Sequence, residues 1–135
     1  MRRTSRRTTP SAHPGVSGTA RVARRAAHLV SRVRQGDIAV IDHHDLDRET
    51  AQRLVDRGVA AVVNAAPMIS GRYANLGPEV LAEAGIPLLD QVGHGGWAAV
   101  PDGQTIRVHE GIVYAGEHAV AHGRTVDLRG IRAEM

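Results

Sequence analysis

The chain has 135 residues, of which 42% are hydrophobic and 2% aromatic, with no Cys and a formal net charge of +3. This composition predicts one globular domain with an aliphatic core, and it excludes disulfide frameworks, cysteine nucleophiles and thiolate zinc sites. Because Tyr73, Trp97 and Tyr114 are the only aromatic residues, a stacking platform for single-stranded nucleic acid is not expected. No apolar run reaches the ~18 residues of a membrane span, and the first arginines are not followed by the apolar stretch of a secretory signal. We therefore expect a cytoplasmic protein.

The charge is divided unevenly along the chain. Residues 1–36 carry nine Arg and no acid, whereas residues 37–135 carry eight Arg and fourteen acids, so the first part has a charge of +9 and the second a charge of −6. Residues 1–18 contain too few apolar side chains to offset the entropy of ordering the chain, which predicts a disordered basic tail. Such a tail suits nucleic acid or anionic lipid, but a solvated tail with no specific partner is the interpretation that we favour.

From Thr19 the apolar residues recur at helical spacing, at Val22, Ala26, Leu29, Val30 and Val33. This pattern predicts a basic amphipathic helix over residues 19–35. Its apolar face is rich in Ala and Val and has no Trp or Phe, which favours packing on the domain over binding to a membrane surface. A short strand over residues 18–22, preceding the helix, is the alternative.

Residues 36–135 are predicted to form a compact α/β domain. Three short apolar runs are typical of buried strands: residues 38–41, 59–63 and 86–89. Helices are expected between them, the first with Asp45 as N-cap and Gly58 as its end, the second from Pro78 to Ala84 with Gly85 as its end. Strands and helices that alternate in this way form a parallel βαβαβ unit with right-handed crossovers.

After the third strand the pattern changes to that of antiparallel β-structure. His94-Gly95-Gly96 is predicted to be a loop, residues 105–108 and 112–114 a hairpin, and residues 125–128 a last strand. The predicted fold class is therefore α/β, a parallel βαβαβ unit with an appended β-hairpin layer, preceded by a basic helix.

Ligands bind beyond the carboxyl ends of the strands in parallel α/β units, and three predicted loops lie there: residues 42–45, 64–75 and 90–96. Asp42, His43, Asp45 and His94 are secondary candidates for a site. Imidazole and carboxylate suit a transition metal, but adjacent side chains at a strand end point to opposite faces, so no metal site is predicted.

The loop of residues 64–77 is the principal candidate. A small, glycine-containing loop that leads into a helix presents backbone N–H groups to an anion, and the Arg72 guanidinium can add a bidentate contact. The alternative is an ordinary loop with Arg72 paired to an acid of the domain. The residues expected to bind an anion are Asn64, Ser70, Gly71, Arg72, Tyr73 and Asn75.

No catalytic motif accompanies this loop. It contains neither a Walker A sequence nor G-x-G-x-x-G, and no Ser, His and acid occur at spacings that indicate a triad. We therefore predict no catalytic residue and no cofactor.

The chain nevertheless resembles the amino-terminal region of the SteA-like cytokinetic-ring family of actinobacteria. The resemblance covers roughly residues 14–118 and includes the motifs Ile69-Ser70-Gly71-Arg72-Tyr73 and Asn75-Leu76-Gly77-Pro78. The other similar segments are residues 15–22, 36–43, 45–48, 60–67 and 83–90.

This resemblance implies a role in septation and cell-wall remodelling, with a membrane-protein partner and recruitment to the division septum. Members of the family are longer, with a part resembling thiamin pyrophosphokinase and a hydrophobic carboxyl-terminal segment, and this chain stops at Met135 before either. Nucleotide or thiamin chemistry would belong to the former part.

The order of strands and helices is also similar to the swivelling phosphohistidine domain of phosphoenolpyruvate-utilising enzymes, which implies a β/β/α sandwich. That family carries a phosphoryl group on a His in the loop before the second helix. The matching loop here holds Ser70, Arg72, Tyr73 and Asn75 and no His, so only the fold is implied.

The residues thus predict a non-catalytic module that binds a small anionic ligand, and the resemblance to the SteA-like family implies a link to cell division and a protein partner at the division site. Three alternatives remain: an enzyme domain acting on a phosphorylated substrate or nucleotide, a nucleic-acid binder that uses the Arg-rich arm, and a remnant without activity. Nucleic acid is the partner that we favour least, and the oligomeric state is open.

Overall fold

A computed structural model describes residues 14–44, 46–68 and 77–127. The strands are β1 (Val16–Val22), β2 (Ile38–Ile41), β3 (Ala61–Asn64), β4 (Leu88–Asp90), β5 (Thr105–His109), β6 (Ile112–Ala115), β7 (His118–His122) and β8 (Arg124–Val126). The helices are α1 (Arg48–Arg57), α2 (Gly77–Glu83) and α3 (Gly93–Ala99), with a short 3₁₀ helix at Ala26–His28.

Helix α1 is set by local sequence at both of its ends. The Asp47 side chain is the N-cap and accepts a hydrogen bond from the backbone N–H of Thr50 at 3.0 Å. Gly58 ends the helix in the left-handed conformation, with φ of 77°. Asp45, the N-cap that the sequence predicts, lies outside the described residues; Asp47 caps the helix because its carboxylate reaches the N–H three residues on. Between the ends, Leu54 is buried against the sheet.

The predicted parallel unit is confirmed. β1, β2, β3 and β4 lie side by side and parallel, with Ala20 opposite Ile38 and Ile38 opposite Ala61. The predicted hairpin of β5 and β6 is also confirmed; it joins the other edge of β1, and β7 follows it in antiparallel register. β8 pairs with β4, which gives the sheet order β7-β6-β5-β1-β2-β3-β4-β8.

The sheet curls back on itself, because its first and last members are consecutive in the chain. Only Gly123 separates β7 from β8. Its N–H donates to the carbonyl oxygen of Gly111 at 2.9 Å, and a Cβ at this position would collide with the carbonyl oxygen of Asp90. The close approach therefore requires glycine at the point where the sheet is closed.

The two faces of the sheet have separate cores. Successive strand side chains point in opposite directions, so Ile41 packs with Leu54 of α1 and Leu81 of α2, whereas Val40 packs on the other face with Ile106 of β5. Each fully buried side chain of this kind stabilises the fold by about 1.5–3 kcal/mol. The result is a helix layer, a parallel sheet and an antiparallel layer, which confirms the predicted α/β sandwich.

The predicted basic helix over residues 19–35 is wrong. The chain from Val16 to Val22 is strand β1, whose backbone groups pair with β2 on one side and with β5 on the other, and only Ala26–His28 is helical. Pairing with two neighbouring strands is a tertiary interaction, and it overrides the local helical spacing of the apolar residues. The apolar spacing still marks a buried face, since Ala26, Leu29 and Val33 are fully buried.

The predicted basic tail ends earlier than expected. Val16–Gly18, which the sequence analysis assigns to the tail, belong to β1, and the carbonyl oxygen of Pro14 accepts a hydrogen bond from Arg107 at 2.9 Å. The remainder of the predicted tail, residues 1–13, lies outside the described residues.

Two elements were not predicted, namely β7 and α3. Helix α3 includes His94-Gly95-Gly96, which we expected to be a loop because glycine is a poor helix former. Its packing against β7 and the contact of Trp97 with the core override that propensity. Among the helices of the described ranges, none has the length and apolar character that crossing a bilayer requires.

Candidate functional site

The carboxyl ends of β2, β3 and β4 meet at one edge of the sheet, as parallel pairing demands. This edge brings together four of the candidate residues: Asp42, His43, Asn64 and His94. The other candidates, Asp45, Ser70, Gly71, Arg72, Tyr73 and Asn75, lie outside the described residues.

The buried side chain of Asn64 holds this edge of the sheet together through hydrogen bonds. Its side chain is fully buried, its Oδ1 accepts from the backbone N–H of His43 and of Ala66, each at 3.1 Å, and its Nδ2 donates to the carbonyl oxygen of His43 at 2.8 Å. Nδ2 also lies 3.4 Å from the Met68 sulfur. Because both polar atoms of the amide are used within the fold, Asn64 positions the segments that follow β2 and β3.

Asp90, which the sequence analysis did not single out, does the same at the end of β4. It is fully buried, and its Oδ2 accepts from the backbone N–H of Met68 at 2.8 Å. The Arg124 guanidinium donates to both oxygens, from Nε to Oδ1 at 3.1 Å and from an Nη to Oδ2 at 3.0 Å. A carboxylate directly after an apolar run is a signal for such a partner, because a buried charge must be paired.

The two ends of the principal candidate loop are therefore fixed. Met68 is held by Asp90 at one end. At the other end Gly77 begins α2 against the carbonyl oxygens of Leu46 and Asp47, so closely that a Cβ would collide with Leu46. Met68 and Gly77, the described residues on either side of positions 69–76, are consequently held at defined points of the fold.

His43 lies half-buried between these segments. Its Nδ1 accepts a hydrogen bond from the backbone N–H of Ala26 at 3.2 Å, which assigns the proton of the neutral ring to Nε2. Its backbone is held by Asn64, while His44 next to it is exposed. The two imidazoles thus differ in surroundings, and no group of three or more metal-binding side chains occurs in the described part of the chain.

Asp42, Arg24, His94 and Trp97 form a second cluster at the same edge, here named the edge cluster. The Asp42 Oδ2 atom lies 4.0 Å from an Nη of Arg24 and 3.9 Å from Nδ1 of His94. Trp97 lies 5.4 Å from the His94 ring and 5.4 Å from the Arg24 guanidinium carbon, measured from ring centroids. Arg24 and Trp97 were missed by sequence reasoning, since no spacing rule relates them to Asp42.

The backbone preorganises the edge cluster. The N–H of Asp42 donates to the carbonyl oxygen of Arg24 at 2.8 Å, and the indole N–H of Trp97 donates to the carbonyl oxygen of Ala23 at 3.3 Å. The side-chain heads of Arg24 and His94 remain mostly exposed, at 67% and 63%. The cluster therefore offers two donors, one carboxylate acceptor and one aromatic ring to a molecule in solution.

The chain matches no protein-family model and no curated protein.

Proposed function

We propose that the protein is a non-catalytic module that binds a small anionic ligand at the carboxyl edge of its parallel strands, with Arg72 as the principal contact. The observation that carries this proposal is the frame made by Asn64 and Asp90. Two fully buried polar side chains sit at the ends of neighbouring strands and use their hydrogen bonds on the segments that border the loop.

Burying the polar side chains of Asn64 and Asp90 has a thermodynamic cost that apolar side chains at these two positions would avoid. A buried polar group destabilises the fold unless every bond is made, and an apolar residue at the same place avoids that risk. Polar side chains at these two strand ends hold the backbone of His43, Ala66 and Met68 in place, which is the kind of support that a binding loop needs at its base. The edge where they lie is where α/β sheets bind ligands.

The non-catalytic interpretation is favoured over the enzyme by the geometry of the described acid and base groups. The Nδ1 atom of His94 is 3.9 Å from the Asp42 carboxylate, which is beyond hydrogen-bond reach. Asp90 is engaged by Arg124 and Met68. Among the described residues, these two carboxylates therefore do not form a hydrogen-bonded acid–base pair with an imidazole, which is the arrangement that orients a general base.

The resemblance to the SteA-like family supports a place for this module in cell division, with a protein partner at the septum. Its test is a fluorescent fusion in a dividing actinobacterium. Localisation to septa would support the proposal, and a uniform cytoplasmic signal that persists through division would contradict it.

Ligand binding is tested by thermal unfolding with inorganic phosphate, pyrophosphate, ribose 5-phosphate and ADP, on the wild type and on Arg72→Ala. A probe at 100 times its dissociation constant stabilises the fold by about 2.7 kcal/mol, which raises Tm by several degrees. We expect such a shift in the wild type and its loss in Arg72→Ala.

Arg57→Ala, at the exposed carboxyl end of α1, is the matched control and should keep the shift. No shift with any probe would overturn the proposal, as would an equal shift in Arg72→Ala. Consumption of a bound probe, followed by chromatography, would favour the enzyme instead. Salt-sensitive binding of DNA that disappears when residues 1–13 are deleted would favour the nucleic-acid alternative.

A further inference from the structure

The ion pairs of the edge cluster contribute too little to the stability of the fold to explain why these side chains are brought together. These pairs are long, at 3.9 and 4.0 Å, and two of the three charged or titratable heads in the cluster are mostly exposed. Exposed pairs of this kind contribute little to the free energy of unfolding. Elsewhere the protein makes much closer pairs, such as Arg21 with Asp37 at 3.0 Å.

The geometry leaves the polar heads available for other bonds. Asp42 lies close to Arg24 and His94 without being hydrogen-bonded to either, because both separations exceed the usual donor–acceptor range. All three heads nevertheless converge within a few ångströms on backbone that is tied by the Asp42 N–H to Arg24 carbonyl bond. In the described part of the chain these heads make no hydrogen bond to one another, so they form a prearranged set of donors around one acceptor.

Trp97 adds a surface of a different kind. It is the sole Trp of the chain, and its N–H is already bonded to Ala23, so the ring needs no polar partner from a ligand. The ring is partly exposed. The Arg24 guanidinium lies over it, with its carbon 5.4 Å from the ring centroid, and the His94 ring lies 5.4 Å away at an interplanar angle of 32°. It supplies a flat apolar surface next to polar groups, which suits a ring whose edge is polar and whose face is apolar.

From these contacts we infer that the edge cluster is a subsite for a phosphorylated sugar. The phosphate oxygens accept from Arg24 and His94, a sugar hydroxyl donates to the Asp42 carboxylate, and the C–H face of the sugar packs against Trp97. Phosphate alone does not use Asp42, since a carboxylate repels an anion. An uncharged sugar does not use the charge of Arg24. A molecule that carries both groups engages the whole cluster.

This inference rests on the proposed ligand-binding function and names the ligand class for the same edge of the sheet. A phosphorylated sugar occurs both as a free sugar phosphate and as the ribose phosphate of a nucleotide. The test therefore titrates the protein with ribose 5-phosphate, glucose 6-phosphate and ADP, with ribose and inorganic phosphate as the half-ligands. Trp97 fluorescence reports on the subsite directly, and calorimetry of the same titrations reports binding that leaves the fluorescence unchanged.

The Asp42→Asn variant gives the sharpest result, because it predicts effects of opposite sign. We expect it to weaken ribose 5-phosphate binding, through loss of the charged acceptor, and to tighten inorganic phosphate binding, through loss of repulsion. Arg24→Gln removes a charge-assisted contact and should weaken both by about tenfold or more. Arg57→Gln, the matched control on α1, should leave all dissociation constants unchanged.

Three outcomes would overturn the inference. The first is an inorganic phosphate affinity equal to that of ribose 5-phosphate, with both tightened by Asp42→Asn, which describes a plain anion site. The second is binding that is lost in Arg72→Ala but unaffected by Arg24→Gln and Asp42→Asn, which leaves the proposed function intact without this subsite. The third is no binding of any probe by either method, in which case the proposed function fails as well.

Discussion

The carboxylate of Asp90 is fully buried, and Arg124 grips both of its oxygens from a strand that lies 34 residues further along the chain. The pair joins the end of β4 to the start of β8, at the closing contact of the sheet. Through the bond from Met68 to the same carboxylate it also sets the point where the candidate loop begins. One ion pair thus links the closure of the fold to the geometry of the candidate site.

Replacing Arg124 should destabilise the protein well beyond the effect of a surface ion pair. Arg124→Ala leaves the Asp90 charge buried without its partner, and the loss is about 1–3 kcal/mol once the 42% exposure of the Arg124 side chain is taken into account. Urea unfolding measures the change. The control is Arg53→Ala, which breaks the exposed pair with Glu49 and should cost about 0.5 kcal/mol or less. Equal effects of the two variants would show that the buried pair has no special weight.

Asn64→Ala should destabilise the fold by about 2–3 kcal/mol, because it strips buried backbone groups of His43 and Ala66 of their partner. Denaturant unfolding provides the value. Gln52→Ala removes an exposed amide that bonds Asp56 on α1, and it should lie within about 0.5 kcal/mol of the wild type. A change in Asn64→Ala as small as that of the control would contradict the role of Asn64 as a fastener.

The N-cap Asp47 should make the stability of the protein depend on pH in the acid range. Its partial burial acts to raise the pKa, but the hydrogen bonds from Thr50 outweigh this and hold the pKa below the usual 3.8. Because the folded-state pKa is the lower one, the contribution to stability is complete above about pH 3.8 and is lost as the pH falls through the folded-state pKa. Asp47→Ala should therefore lose about 1 kcal/mol near neutral pH.

Melting temperatures of the wild type, Asp47→Ala and Asp47→Asn, measured from neutral pH to below pH 3.8, test whether the cap is ionised. The difference between the wild type and Asp47→Ala should narrow on acidification below pH 3.8, whereas the difference between Asp47→Asn and Asp47→Ala should not, since an amide cap does not titrate. A difference between wild type and Asp47→Ala that is constant with pH would rule out the ionised cap.

Two glycine-to-alanine changes should act in opposite directions. Gly123→Ala forces a Cβ against the carbonyl oxygen of Asp90 and should cost about 1–3 kcal/mol. Gly95→Ala, in α3, meets no atom within 4 Å and should stabilise the protein by about 0.5–1 kcal/mol. Thermal unfolding of both variants tests the pair, and a stabilised Gly123→Ala would show that the sheet is not closed as described.

The central parallel unit could be predicted because its strands are short apolar runs that are buried on both faces, as at Ile38–Ile41. β1 appeared only as the alternative strand over residues 18–22, because Ala20 is its one fully buried residue and its antiparallel partner β5 lies far along the chain. β7 has the sequence His118–His122, with apolar residues only in its middle, and it is recognisable as a strand only once β6 is beside it.

The position of the candidate site at the carboxyl edge of the parallel strands could be predicted from the sequence. Loops that follow neighbouring parallel strands must converge, which is why Asp42, Asn64 and His94 were found by sequence. Arg24 and Trp97 were not, since they meet only through the packing of α3 against the end of β1. The sequence predicts that the Asn64 side chain contacts the ligand. The structure buries this side chain, which instead holds the backbone beside the loop.

The junction at Gly123 has a consequence for the order of synthesis. β1 emerges from the ribosome among the first described elements, yet its neighbour β5 follows more than eighty residues later, and β7 and β8 later still. Until these strands emerge, the face of the parallel strands opposite α1 and α2 is uncovered, and the edge of β4 is unpaired. Both surfaces favour contacts with other chains. The nascent protein therefore depends on β5 and β6 to cover this face and on β8 to pair with β4, or on a chaperone that binds both surfaces until these strands are made.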